Sequence, residues 1–202
     1  MIALFDFDSI IYSSTYRIVD FSTIRDWFND GKKRDWMENE IVQMSVNRVC
    51  NMPTIIMEAI EETGINVSHS EYFVTANKQD IRRWVYPDYK ANRISKQRSI
   101  RKWVAKVRKY LIHDMNFVIK SDIWEADDLV IDRAKQIGVD LCVIVSVDKD
   151  LKQQAGIHFD IYKEKVIDEF GEPVIDEFGN TLKMYRGLSI VTEKEAEYKL
   201  FH

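Results

Sequence analysis

Four short, mainly apolar runs separated by stretches of helical periodicity constrain the fold of this chain more than any other feature. The runs lie at residues 2–5, 71–75, 116–119 and 141–145. The last run is apolar throughout, which is typical of a strand covered on both faces. Between the runs, apolar residues recur at helical spacing over residues 36–62, 100–111 and 125–137. This alternation predicts a three-layer α/β/α fold around a mainly parallel sheet.

The alternation of apolar runs and helical stretches ends after Gly156. Short β segments are expected at residues 158–162 and 165–167, and residues 166–171 nearly repeat at 174–179, which predicts a small β-hairpin extension. Thr192, followed three residues later by Glu195, predicts a capping box that opens a final helix. We therefore expect a core over residues 1–157, with an extension and terminal helix over residues 158–202.

Acidic residues follow three of the predicted strands. Asp6 and Asp8 follow the first strand, and Asp148 and Asp150 follow the fourth. Glu125, Asp127 and Asp128 open the helix after the third. Ligands of open α/β sheets gather beyond the carboxyl ends of the strands. We therefore expect these seven carboxylates to converge.

Convergence of so many carboxylates requires cations, because like charges about 4 Å apart cost roughly 4 kcal/mol even at an effective dielectric near 20. Hard oxygen ligands favour Mg²⁺ or Mn²⁺, and two such ions are typical of phosphodiester hydrolysis. Each cluster also has a purely structural explanation. Acidic residues stabilise the first turn of a helix, and Asp148 could cap a short helix that begins at Lys149.

Charge is strongly segregated along the chain. Residues 78–109 hold twelve Lys or Arg against Asp80 and Asp88, a net +10, which leaves −14 for the rest of a chain whose total is −4. A basic segment beside an acidic region is typical of a protein that holds a polyanion with one surface and metal cations with another. A solvated amphipathic helix is the alternative interpretation.

Four blocks together resemble the phage and bacterial 5′-nucleases, the flap-endonuclease superfamily with its PIN-like, Rossmann-like domain, and most of all the T-odd-phage type of 5′→3′ exonuclease. The blocks are Leu4-Phe5-Asp6 with Asp8, Tyr89-Lys90-Ala91-Asn92-Arg93, Glu125-Ala126-Asp127-Asp128 and Ser146-Val147-Asp148-Lys149-Asp150-Leu151. The second block is the most specific, since a metal site alone does not require it. The resemblance implies a divalent-metal-dependent exonuclease or flap endonuclease that hydrolyses DNA, or RNA–DNA hybrids, in phage replication or repair.

The resemblance also implies roles for individual residues. Two magnesium or manganese ions would be held by Asp6, Glu125, Asp127, Asp128, Asp148 and Asp150, with Asp8 in support. Lys90 and Arg93 would contact the reacting phosphate. The basic segment, residues 78–112, would form a helical arch that admits a 5′ single strand. Trp103 and Tyr110 are then candidates to stack on bases, and the candidates to bind DNA are Arg82, Arg83, Tyr89, Lys96, Arg98, Arg101, Lys102, Lys106, Arg108 and Lys109.

Two features depart from the family pattern. Family members carry an Asp after the second strand where this chain has Ala76. The enzyme could dispense with it, Asp80 could replace it, or the change could disable cleavage. The family also continues with a Gly-Asp-x-x-Asp cluster and a helix-turn-helix element that would follow His202. A C-terminal fragment or second polypeptide is therefore an expected partner.

Three alternatives stay open at this point. The chain could be a catalytically incomplete DNA-binding module, or a PIN-type ribonuclease. It could also be a haloacid-dehalogenase-type phosphatase with Asp6 as nucleophile and Asp8 as acid/base, although its motifs occur in the wrong order for that family. Cys50 and Cys142 lack metal-ligand spacing and are expected to be free thiols. No secretory leader or membrane span is expected, which favours the cytoplasm, or the host cytoplasm for a phage protein.

Overall fold

The computed structural model describes residues 1–19, 34–75, 98–114, 118–121, 123–161, 163–165, 172–175, 183–185 and 187–201. Their elements follow one another as β1 (Ile2–Asp6), α1 (Phe7–Val19), α2 (Arg34–Glu61), β2 (His69–Thr75), α3 (Arg98–Asp114), β3 (Val118–Ser121), α4 (Ala126–Ile137), β4 (Cys142–Ser146), a 3₁₀ turn (Lys149–Gln153), β5 (Gly156–Asp160), β6 (Lys163–Lys165), β7 (Lys183–Tyr185), β8 (Leu188–Val191) and α5 (Glu193–Phe201).

The central sheet has the strand order β3-β2-β1-β4-β5-β8. Strands β1 to β5 pair in parallel, and β8 adds to β5 in the antiparallel sense. Strands β6 and β7 form a separate antiparallel pair. The predicted α/β fold with a mainly parallel sheet is confirmed. The β6–β7 pair forms the small antiparallel extension, whereas the segment expected at residues 158–162 belongs to the central sheet as part of β5. Residues 166–171 and 176–179 of the near-repeat lie outside the described residues.

Both faces of the sheet are covered, as the apolar β4 run predicts. Phe5, Val143 and Val145 belong to the core that packs on α1, α2 and α3. Leu4 and Ile144, one residue out of phase, belong to a second core formed with α4. The alternation follows from the two-residue period of a strand. Burial of each such side chain contributes about 1.5–3 kcal/mol, which explains why the central strands carry few polar residues.

The strand register brings the carboxyl ends of the parallel strands to one line, which we call the carboxyl edge. Phe5 lies opposite both Tyr72 of β2 and Val145 of β4, so β1 and β4 end at the same level. The order of the chain reverses between β1 and β4. A crevice outside the carboxyl ends at such a reversal is the usual ligand site of an open α/β sheet.

The helices differ from the expectations in one place, since helix α1 begins immediately after β1 and was not predicted. Helix α2 continues through Pro53 as one element. The capping box of α5 is confirmed, because the Thr192 amide donates to the Glu195 carboxylate at 2.9 Å. Strand β5 spans the predicted domain boundary at residue 157.

Cys142 is a free and buried thiol, as expected, and Cys50 is half-buried. In the described part of the chain, none of the helices has the combination of length and apolarity that crossing a membrane requires.

Candidate metal centre

Three carboxylates meet at the start of α4, and we call them the acidic trio: Glu125, Asp127 and Asp128. One ligand oxygen from each lies within 4.8 Å of the others, and all three side chains are half-buried. Three hard oxygen donors at this separation suit a divalent cation. The donor set of the acidic trio contains no sulfur or imidazole, and oxygen donors of this kind are preferred by hard cations.

Helix α4 is joined to β2 at two positions along its length. The Ala126 amide donates to the Thr75 hydroxyl at the end of β2, over 3.0 Å. Arg133, two turns further along, donates two hydrogen bonds of 2.7 and 2.8 Å to Glu71 of β2. These contacts place the acidic trio at the carboxyl edge and limit its movement.

Helix capping does not account for the Glu125 side chain. Glu125 occupies the N-cap position with an extended backbone, but its side chain makes no capping hydrogen bond. Asp127 accepts from the Asp128 amide at 2.9 Å, which uses one of its lone pairs. An ionised carboxylate has about four such sites, so this bond is compatible with metal ligation.

Asp6 ends β1 in a buried position, with 4% of its surface exposed. Its carboxylate accepts hydrogen bonds from the hydroxyls of Ser9 and Ser146, the latter over 2.7 Å. Burial, with a smaller contribution from the charge of Asp8, raises the pKa of Asp6 from 3.8 to about 6, against the opposing effect of the two serines. A buried carboxylate that is costly to ionise is a group that a nearby cation would stabilise strongly.

Ser146 connects Asp6 to Asp148. Its hydroxyl donates to Asp6 and accepts from the Asp148 amide at 2.9 Å. Asp148 in turn accepts from the Asp150 amide at 3.0 Å and caps the 3₁₀ turn. The structural explanation offered for Asp148 is therefore confirmed, although capping with one oxygen leaves ligation by the other compatible.

Asp8 lies in the first turn of α1, where Arg108 of α3 approaches it. The Arg108 guanidinium contacts one Asp8 carboxylate oxygen at 3.0 and 3.1 Å. This ion pair joins two helices that lie 100 residues apart in sequence. Asp8 and Arg108 therefore hold α1 and α3 together, a structural role that the sequence does not indicate for either residue.

The seven predicted carboxylates do not all fall in one tight group. Among the described residues, the group with ligand atoms within 4.8 Å consists of the acidic trio, and Asp6, Asp8, Asp148 and Asp150 are not in it. Asp6 and Asp148 instead share Ser146, at the reversal of strand order. A single metal site formed by the acidic trio together with the other four carboxylates stays a prediction.

The basic segment is described only in part. Lys90 and Arg93 lie outside the described residues, as do Ala76 and the DNA-contact candidates Arg82, Arg83, Tyr89 and Lys96. The Arg98 backbone begins α3, but its side chain is outside the description. Arg101, Lys102, Lys106 and Lys109 are exposed on α3, whose opposite face, including Val104, Val107 and Leu111, is buried. Helix α3 is thus amphipathic with a basic outer face.

The expectation that Trp103 stacks on bases is wrong. Its side chain is 1% exposed and packs with Ile18 of α1 and Ile41 of α2. Lys102 and Lys106 place their ammonium groups 4.5 and 5.4 Å from its ring centroid. Tyr110 is half-buried against the main core. At these positions, helical periodicity places the aromatic rings on the core face of α3.

Ser9, Thr75 and Arg133 position the site, and the sequence did not single them out. The position of Asp6 is a signal that was available, because an Asp directly before a helix commonly accepts from the amide three residues later, here that of Ser9. Thr75 and Arg133 carry no such local signal, since their partners lie 51 and 62 residues away.

A depression of about 760 Å³ lies beside Asp150, between the 3₁₀ turn and α5. It is lined by Val147, Lys149, Asp150, Lys152, Gln153, Asp160, Tyr198 and Lys199. Lys152 is paired with Asp160 at 2.7 Å, so the remaining charges of the lining are those of Lys149, Lys199 and Asp150.

The fold and the acidic trio define a class: an α/β protein with a candidate divalent-metal site at the carboxyl edge of its sheet. Residues 15–179 match the family model described as the 5′-3′ exonuclease, N-terminal resolvase-like domain. The match covers most of the chain, and the chain belongs to this family. The nuclease family expected from the four sequence blocks is thereby confirmed.

Solved structures of bacteriophage T5 proteins are also similar to this chain. The T5 flap endonuclease, in a complex with DNA and metal ions, shares 15% identity at a TM-score of 0.48, over 79% of this chain and 54% of that one. The T5 protein co-crystallized with metal ions is 16% identical at a TM-score of 0.45, over 79% of this chain and 55% of that one. The T5 5′-exonuclease with bound zinc is 15% identical at a TM-score of 0.47, over 79% of this chain and 55% of that one.

This chain spans about half the length of these T5 proteins. No curated protein sequence matches it. The family assignment rests on the family match and not on these structural likenesses.

Proposed function

We propose that this chain is the nuclease part of a divalent-metal-dependent 5′→3′ exonuclease or flap endonuclease that hydrolyses DNA phosphodiesters. One observation carries the proposal: in a chain of the 5′-3′ exonuclease family, Glu125, Asp127 and Asp128 bring ligand oxygens within 4.8 Å of one another. The alternatives of a phosphatase and a PIN-type ribonuclease gain no support from the family match.

The carboxylates at the carboxyl edge suit Mg²⁺ or Mn²⁺. The acidic trio would hold one ion, and Asp6, Asp148 and Asp150 would hold or orient a second, with Asp8 in support. When bound, such ions activate a water and stabilise the leaving oxygen of a phosphodiester. The protein groups supply orientation, because Ser146 and Ser9 fix the Asp6 carboxylate and Thr75 fixes the first turn of α4.

We propose that the basic segment holds the DNA. Arg101, Lys102, Lys106 and Lys109 are exposed along α3, and cations in such a row suit successive phosphates of a strand with a free 5′ end. Lys90 and Arg93 are proposed to contact the reacting phosphate. Arg108 is less available for this, because it pairs with Asp8.

The finer parts of the proposal concern organisation and context. Residues 1–157 would form the nuclease core, 78–112 its arch and 158–202 an extension. We extend the proposal to RNA–DNA hybrids, to a C-terminal fragment or second polypeptide that completes the site, and to phage replication or repair. The support for these is the resemblance of the four blocks to phage 5′-nucleases.

The decisive experiment is digestion of a 5′-labelled flap duplex with Mg²⁺ or Mn²⁺ and with a chelator. We expect cleavage only with metal, and loss of at least about a hundredfold in Asp127→Asn, since a metal ion supplies several kcal/mol of transition-state stabilisation. Asp132→Asn is the matched control, because Asp132 is exposed on the same helix and accepts a hydrogen bond from Gln136, one turn away. Cleavage that persists in the chelator would refute the proposal.

A chain that binds DNA but never cleaves it would indicate the incomplete module. Ala76→Asp then tests whether a single carboxylate is the deficit. Metal binding is measured independently of activity, by the rise in melting temperature with Mn²⁺. This rise should be lost in Asp127→Asn and kept in Asp132→Asn.

A further inference from the structure

An exposed apolar pair lies directly before the acidic trio. Ile123 is 53% exposed and Trp124 is 48% exposed. Trp124 is bonded in the chain to Glu125, so its Cα lies about 3.8 Å from that of a candidate metal ligand. Exposure of two large apolar side chains in succession has a cost in water, and such patches commonly mark binding surfaces.

The pair stands on a turn that is held at both ends. The amides of Ile123 and Trp124 both donate to the Ser121 hydroxyl, at 3.2 and 3.1 Å. On the far side of Glu125, the Ala126 amide donates to Thr75. Ser121 and Thr75 are themselves opposite each other in the β2–β3 pairing. The exposure of Trp124 therefore belongs to a fixed turn at the carboxyl edge rather than to a loose loop.

The negative charge of the acidic trio determines which kind of chemical group can contact Ile123 and Trp124. Glu125, Asp127 and Asp128 are adjacent, and their negative charge repels a phosphate that is not already neutralised by metal. A neutral, planar and apolar surface is what remains attractive to Trp124. In a nucleic acid, that surface is the face of a base, and indole–base stacking is favourable for every base.

We propose that Ile123 and Trp124 form a platform on which a base of the substrate strand stacks, next to the nucleotide whose phosphate reaches the acidic trio. This inference rests on the proposed function and deepens it, since it assigns a base-binding position to the same site. The platform orients the strand and selects an unpaired base over a paired one, because a paired base already has neighbours on both faces.

The test combines a change in the protein with a change in the DNA. Dissociation constants are measured by fluorescence anisotropy on a labelled 5′-flap duplex with Ca²⁺ in place of Mg²⁺, so that an oxygen-binding divalent cation neutralises the acidic trio, and a gel verifies that the duplex stays intact. We expect Trp124→Ala to weaken binding about tenfold and Trp124→Phe to retain most of the affinity. Placing an abasic site at successive flap positions should identify one position at which wild type and Trp124→Ala bind equally.

Controls separate stacking from electrostatics and from unfolding. Tyr16 is also 48% exposed, but it lies nine residues into α1, roughly 14 Å from the start of that helix. Tyr16→Ala should leave affinity unchanged. Trp124→Ala should leave the slope of affinity against salt unchanged, whereas Lys106→Ala should reduce it. The melting temperature of Trp124→Ala should stay near that of wild type, since the side chain is exposed.

Each outcome decides the matter. Equal binding by wild type and Trp124→Ala, with metal-dependent cleavage intact, overturns the platform and leaves the proposed function standing. The platform is also overturned if Trp124→Ala weakens every abasic substrate as much as the intact one, because the contact is then not to a base. Failure of the wild type to bind DNA overturns the platform and the proposed function together. Binding without metal-dependent cleavage overturns the proposed hydrolysis, and the platform is then decided by the affinities alone.

Discussion

Asp6→Asn should make the metal-free protein more stable at pH 8, although Asp6 is a proposed metal ligand. Burial raises the pKa of Asp6 from 3.8 to about 6. The stability linked to the protonated carboxyl is complete below pH 3.8 and is lost as the pH rises through 6. At one pKa unit per 1.36 kcal/mol, ionised Asp6 costs the folded state about 3 kcal/mol at pH 8.

The asparagine removes this cost and loses part of a hydrogen-bond network. Asp6 accepts from both Ser9 and Ser146, whereas an amide offers a single oxygen, so about 1 kcal/mol is lost. The net gain at pH 8 is about 2 kcal/mol. At pH 4 the ionisation cost is below about 1 kcal/mol, and the variant should be no more stable than wild type.

The assay is thermal unfolding in chelator at pH 4 and pH 8, repeated with saturating Mn²⁺. A gain of about 2 kcal/mol corresponds to a rise of roughly 4–8 °C in melting temperature for a chain of this size. Mn²⁺ should stabilise wild type more than Asp6→Asn, because the cation favours the ionised carboxylate. A variant that is less stable at pH 8, or a difference that is the same at both pH values, would refute the reasoning.

Three further substitutions test how the site is held. Arg133→Met should lower the free energy of unfolding by about 1 kcal/mol at pH 7 in urea. Since the hydrogen bonds from Arg133 lower the pKa of Glu71, that difference should shrink as the pH falls below 4.5. Arg108→Met should destabilise the protein at low salt and have less effect at high salt, where the Asp8 ion pair is screened. Gly187→Ala should cost about 2 kcal/mol or more and reduce hydrogen-exchange protection in β8, because a Cβ there would overlap the Asp160 carbonyl.

The regular parts of the fold were predictable because they depend on periodicity within one segment. The β4 run is buried on both faces, and α4 ends within the residues that its apolar spacing predicted. Helix α1 was missed for a local reason. Its sequence from Phe7 to Tyr16 includes Ile, Ser and Thr in close succession, and β-branched residues and serine have weak helix propensity. Packing of Ile10 and Ile11 into the core stabilises the helix instead.

For the candidate site, too, the features that depend on local sequence patterns were predictable and those that depend on distant contacts were not. The sequence alone determined the family and the parallel sheet and predicted which carboxylates form the site, because these follow from motifs and from periods of 2.0 and 3.6 residues. Only the tertiary structure decided that the acidic trio draws together, that Ser146 joins Asp6 to Asp148, that Asp8 is paired with Arg108 and that Trp103 is buried while Trp124 is exposed. These outcomes depend on contacts between residues that are distant in sequence, and a local pattern carries no information about the partner that folding will bring to each side chain.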